Sequence, residues 1–117
     1  MKCNEDHKPQ ACNGYLLPIT DALEVLHGKW KLPILISLRF GEKRFGEMKD
    51  DIPKITDRML SKELKQLEAN LLVKRTVYDT TPVTIKYALT DYGFSLDDVI
   101  EALKNWGIKH REKIIAK

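Results

Sequence analysis

The sequence predicts a mainly helical α+β domain that carries one small β-hairpin, and three observations lead there. Apolar residues recur at helical spacing between Ile19 and Ile114, two strand-like segments suited to pair as a hairpin lie within residues 73–89, and turn-forming residues separate the segments. With 117 residues, 43% of them hydrophobic, the chain can close one compact core and is too short to expect a second, catalytic domain. Residues 1–14 mix charge with Pro9, Asn13 and Gly14 and lack any hydrophobic period, so an irregular arm is expected, followed by a single domain over 15–117.

Pro18 suits a first helical turn, where its missing N–H costs little, and Ile19, Leu23 and Leu26 form a stripe that ends at Gly28, predicting a helix over roughly 18–27. The run Leu32-Pro33-Ile34-Leu35-Ile36-Ser37-Leu38 is apolar on nearly every side; its length and Pro33 favour a central helix over a buried strand. Gly41 punctuates, Lys43 to Phe45 suit a brief strand, and Phe45, Met48 and Ile52 are spaced for a short helix over about 44–51. Pro53 ends that helix, because a proline disfavours helical geometry in the residue before it. Thr56 can then cap a second helix over 57–69 by accepting a bond from an early backbone N–H. Asn70 is expected to end it in the left-handed conformation. Val73 to Tyr78 and Thr84 to Leu89 read as a hairpin, the second strand with Ile85, Tyr87 and Leu89 inward, joined by Asp79-Thr80-Thr81-Pro82. Thr90 caps a last helix over about 91–114, where Leu96, Val99, Leu103, Trp106, His110 and Ile114 share one arc of about 80°. This order, with two helices separated by a short turn ahead of a hairpin, is a winged helix-turn-helix.

The helix over 57–69 is the most informative segment. Leu60, Leu64 and Leu67, with Leu71 just beyond, fall within an arc of roughly 60°, and Arg58, Lys62 and Lys65 fall within another on the opposite side, with Ser61 and Gln66 at its edges. One side is anchored in a core and the other offers hydrogen-bond donors. The chain's formal net charge is only +3, and that excess can be located between Lys54 and Tyr78, where Lys54, Arg58, Lys62, Lys65, Lys74 and Arg75 outnumber Asp57, Glu63 and Glu68.

Other classes find little support. No stretch approaches the roughly 18 apolar residues of a membrane span, and the start Met1-Lys2-Cys3-Asn4-Glu5-Asp6 lacks a signal peptide's apolar region, so no membrane contact and a cytoplasmic location are expected. Cys3 and Cys12 lie in the arm, away from any core they could staple. Cys3, His7, Cys12 and His27 follow no strong zinc spacing, so no metal and no cofactor are expected. His7, His27 and His110 are dispersed, and no glycine-rich phosphate loop is present, so no enzyme is expected.

Taken together, the chain resembles the HxlR-type winged-helix transcriptional regulators of bacteria and archaea, relatives of the MarR-type repressors. The resemblance covers about residues 16–107 and rests on Gly28-Lys29-Trp30 before Ile34-Leu35-Ile36, on Arg44-Phe45-Gly46-Glu47, and on Ile55-Thr56 leading into Leu60, Leu64, Leu67 and Glu68. It continues through Leu72-Val73, Arg75, Val77-Tyr78, Pro82, Tyr87-Ala88-Leu89-Thr90, Gly93, Leu103 and Trp106-Gly107. The resemblance implies a homodimer joined through the first and last helices, bound to a pseudo-palindromic operator in double-stranded DNA, repressing or activating a nearby gene. It also implies that helix 57–69 lies in the major groove with the hairpin as a wing beside it.

On that basis the expected DNA contacts are Thr56, Arg58, Ser61, Lys62, Lys65 and Gln66 from the recognition helix, with Lys74, Arg75 and Lys86 touching phosphates. Leu96, Val99, Leu103 and Trp106 are expected at the dimer seam, and Cys12 is the candidate thiol for a redox effector, a small molecule being the other class of signal. Three departures stand out. Leu17-Pro18 occupies the place of a frequent Cys-Pro switch, Leu71 replaces a usual glycine, and Pro82 is not followed by the common wing arginine. The alternative from a different class is a winged-helix module that binds protein without specific DNA recognition.

Overall fold

A computed structural model describes residues 9–116 and orders them as α1 (Pro9–Val25), α2 (Lys31–Leu38), α3 (Phe45–Asp51), α4 (Asp57–Ala69), β1 (Val73–Tyr78), β2 (Thr84–Leu89), α5 (Asp91–Phe94) and α6 (Asp97–Ile115). The expected winged helix-turn-helix is present. Ile34, Leu35 and Leu38 of α2 meet Met48, Ile52, Ile55 and the Leu60, Leu64 and Leu67 stripe of α4, with Leu72, Val73, Leu89 and Ile100 closing the core. Each such burial contributes about 1.5–3 kcal/mol relative to exposure. The strands pair antiparallel from Val73↔Leu89 to Tyr78↔Thr84, and Lys43 adds a single bridge to Tyr87 where a brief strand was expected.

The turn between α3 and α4 follows from its residues. Ile52, ahead of Pro53, is extended at φ −119° and ψ 92°, and Thr56 accepts a hydrogen bond from the Met59 N–H at 3.1 Å. At the start of α3, Glu47 accepts from the Arg44 N–H at 2.8 Å; the guanidinium of Arg44 has no acceptor with which to return the bond.

Four expectations need correction. Helix α1 already includes residues 9–14, part of the expected arm, while residues 1–8, with Cys3 and His7, lie outside the described residues. Pro18 sits inside α1 because it forfeits only one N–H, and the carbonyl it faces belongs to Gly14, a compliant backbone unit. The end of α4 turns at Leu71, φ +65°, instead of Asn70, φ −90°. The Leu72 N–H donates to the Leu67 carbonyl and the Leu71 N–H to that of Glu68, both at 3.0 Å, so reversal at Leu71 carries Leu72 straight into the core beside Leu67. Asn70 keeps near-helical geometry and donates its side-chain amide to the Gln66 carbonyl at 3.1 Å.

The last helix is broken at Ser95–Leu96 into α5 and α6. Thr90 does cap, but caps α5: its hydroxyl accepts from the Gly93 N–H at 2.9 Å and donates to the Leu71 carbonyl at 2.6 Å. Gly93 lies so close to this corner that a Cβ would stand 2.2 Å from the Leu72 carbonyl oxygen. The chain therefore changes direction before α6, whose first turn is held by Arg39 on Asp97 at 2.8 Å. Finally, the wing lacks a clean inward and outward alternation: Leu89 is buried, but Thr84 through Ala88 are all half-buried. Within the hairpin the core includes Val73 and Leu89, with Tyr87 packed against it.

Candidate nucleic-acid interface

The three leucines bury one side of α4 completely and thereby dictate what the other side presents. Arg58, Lys62 and Lys65 are exposed, as is Thr56 at the cap, and Ser61 is half-exposed beside them. Lys54, at φ +72° in the preceding turn, and Arg44 ahead of α3 add two exposed cations that the expected contact set omitted. Two of the three acidic residues of α4 are occupied. Asp57 pairs with Lys49 of α3, and Glu63 pairs with Lys31 of α2 at 2.9 Å. The positive charge of α4's outer face is thus less offset than its composition suggests.

Gln66 differs from the other expected contacts, because its Oε1 accepts a hydrogen bond from Lys31 Nζ at 2.5 Å. Lys31 itself was missed in the sequence. The signal was there: Lys31, Ile34, Leu35 and Leu38 lie at spacing i, i+3, i+4, i+7, so this lysine occupies the buried stripe of α2.

The wing divides the three expected phosphate contacts. Successive residues on a strand point to opposite faces, so Lys74 and Arg75 cannot act together on one surface. Both are exposed. Lys86 is half-buried, 3.6 Å from Glu42 Oε1 and 5.6 Å from the centre of the Tyr78 ring, while the Tyr78 hydroxyl donates to Glu42 at 2.8 Å. That bond, which stabilises the protonated phenol beside a carboxylate, raises the Tyr78 pKa. Lys86 is therefore held on the wing by Glu42 and Tyr78.

Behind the interface, Asp51 accepts hydrogen bonds from Lys43 and, at 2.8 Å, from the Ser37 hydroxyl, tying α3 to α2 and to the bridge strand. Those bonds, that of Lys43 first, hold the Asp51 carboxyl below its ordinary pKa. Glu101 on α6 is likewise lowered, chiefly by the hydrogen bond from Lys104.

The expected dimer residues separate. Leu96 is half-buried against the domain's own core, whereas Val99, Leu103 and Trp106 are 44%, 51% and 66% exposed along α6. Trp106 stacks on His110 with ring centres 4.9 Å apart. Leu16, Leu17 and Leu23 of α1 are also exposed, and Cys12 on α1 is half-buried. Among the described residues there is no group of three or more His, Cys, Asp or Glu suited to a metal ion, and no helix is long and apolar enough to cross a membrane.

Comparison with known proteins matches residues 25–115 to the model of a family described as HxlR-like helix-turn-helix. An uncharacterised HTH-type transcriptional regulator of Bacillus subtilis, YtcD, is 39% identical over 100 residues, covering 86% of this chain and 79% of its own length. One from Methanothermobacter thermautotrophicus is 41% identical over 93 residues, covering 80% and 71%. Among solved structures, the redox regulator HypR in its reduced form superposes with a TM-score of 0.79 at 36% identity, over 86% of this chain and 99% of that one.

Proposed function

The chain belongs to the HxlR-like helix-turn-helix family, whose relatives are transcriptional regulators, and on that premise we propose that it binds duplex DNA in a sequence-specific way through α4 in the major groove. The observation that carries the reading is the exposure of Arg58, Lys62 and Lys65 on one face of α4 while Asp57 and Glu63 are each engaged by a lysine from another helix. Arg58, near the helix start, is the residue for a bidentate contact to guanine; Ser61 and Lys62 reach base edges or phosphates beside it. Lys65 and one of Lys74 and Arg75, which point to opposite faces of β1, position the protein on the backbone, with Thr56, Lys54 and Arg44 at the edge of the same surface.

The active species in this reading is a homodimer whose seam contains Val99, Leu103 and Trp106 together with α1. A radius of gyration of 17.8 Å, against about 13 Å for a compact chain of this length, supports it: the terminal helices extend from the body with their apolar residues uncovered. Two copies of α4 would then read an inverted repeat with half-sites about one helical turn apart. Cys12 is the thiol for an oxidant signal in this reading, which similarity to a redox regulator supports; mild peroxide should change DNA binding of wild type and leave that of Cys12→Ser unaffected.

Selection of bound sites from a random duplex pool tests the whole reading. An inverted repeat, bound with an affinity that falls steeply as salt rises, is the expected result. Binding without duplex preference would favour a protein-docking role.

A further inference from the structure

We infer that Lys31 is a positioning residue that decides which groups of α4 face the DNA, an inference that rests on α4 being the recognition helix. Lys31 opens α2, and its side chain is only 2% exposed. Lysine is almost never buried to this degree unless it is paired. Its ammonium has three N–H donors, and three oxygens of α4 lie within reach: Glu63 Oε1 at 3.2 Å, Glu63 Oε2 at 2.9 Å and Gln66 Oε1 at 2.5 Å. Among the described residues no buried side-chain nitrogen or oxygen lacks a partner.

Position on the helix gives this cluster its consequence. At about 100° per residue, Gln66 and Glu63 stand roughly 80° and 140° around α4 from Arg58, on the flank between the cationic face and the leucine stripe. A side chain there can turn either way. Lys31 turns both inward, and it does so from a site too deep to touch DNA itself.

Two effects follow for recognition. The Glu63 carboxylate, 12% exposed, has its charge answered inside the protein; released, it would confront the phosphates beside Lys62. An ammonium can only donate, so the Gln66 amide must direct its oxygen to Lys31. Bidentate reading of adenine by glutamine needs both the amide oxygen and the amide nitrogen, for N6 and N7. With its oxygen drawn inward to Lys31, Gln66 can present only its amide NH2 outward, able to serve a phosphate or an acceptor base and not oriented to form the adenine pair. Lys31 thus withholds an adenine contact that the sequence of α4 would otherwise offer.

Site selection from a random duplex pool, run with wild type, with Lys31→Met/Glu63→Leu, and with that double variant plus Gln66→Ala, tests the inference. The double change removes both charges together, so no buried ion is orphaned and the fold is retained. Wild type is expected to yield an inverted repeat. The double variant should add an adenine preference at one position in each half-site, and the triple variant should lose it. The same consensus from wild type and double variant would overturn the role of Lys31, whereas no consensus even from wild type would overturn the recognition-helix reading on which it depends. Lys31→Met alone, with its fold checked by circular dichroism, should bind the wild-type site about tenfold more weakly at low salt through the freed carboxylate, and adding Glu63→Leu should restore affinity. An unchanged affinity in the folded single variant also overturns the inference; if that variant does not fold, the double variant decides.

Discussion

Residues 31–96 and the two terminal helices treat their apolar side chains in opposite ways. In the first region the stripes of α2 and α4 disappear into a common core, and even a lysine at the stripe edge is enclosed with its partners. In the second, α1 and most of α6 carry leucines, isoleucines and a tryptophan that remain in solvent. The contrast separates what the chain completes alone from what it leaves for another surface. The body needs no partner to fix the attitude of α4, whereas an isolated helix as exposed as α1, with Gly14 and Pro18 inside it, gains little from its own propensity.

Substitutions in the two regions should have separable effects. The largest expected effect is on the body: Gly93→Ala should lower unfolding free energy by about 3 kcal/mol, because its Cβ meets a backbone carbonyl that cannot give way cheaply. Denaturant titration measures it, and a loss below about 0.5 kcal/mol, ordinary for a surface site, would mean the corner is looser than described. At the terminal helices, Trp106→Ala should weaken self-association by about 2 kcal/mol while leaving the body's circular dichroism intact. Sedimentation at micromolar concentration reads this directly, and a wild-type chain that is already monomeric would remove the dimer seam.

Smaller effects refine the body. Arg58→Ala should cost about 1–3 kcal/mol of specific DNA affinity, read by gel shift against a selected site; unchanged binding would take Arg58 out of the interface. Leu71→Gly should stabilise the fold by about 1 kcal/mol, since Leu71 is exposed and held at positive φ, where a side chain is penalised. The smallest effect concerns pH. Asp51 has a folded-state pKa below its ordinary value, so it binds its proton more readily when unfolded, and its stabilisation is present above the ordinary carboxylate range and lost as pH falls through the folded value. The Tm difference between wild type and Asp51→Asn should therefore shrink on acidification, and one that is independent of pH would contradict the Lys43 and Ser37 assignment.

Local patterns in the sequence were enough for the elements of the body. Thr56, Pro53 and the leucine spacing located α3 and α4 because caps, proline sterics and helical period act within a few residues. The places where that reading failed depend on distant partners. Asn70 and Leu71 could each have taken the left-handed turn, and the choice was made by where Leu72 had to enter the core. The final helix looked continuous, yet it breaks where Gly93 docks on Leu72 and Leu96 turns inward.

The same division holds for the candidate site. The sequence alone determined that one helix would carry Arg58, Lys62 and Lys65 opposite its leucines, because side chains at fixed helical spacing must share a face whatever surrounds them. Only the tertiary structure decided which neighbours join them. Glu63 and Gln66 are drawn inward by a lysine 32 and 35 residues away, Asp57 is engaged by Lys49, and Lys86 is retained by Glu42 and Tyr78. Charge and hydrogen bonding act through space, and the pairing of groups so far apart in the chain is set when the helices pack.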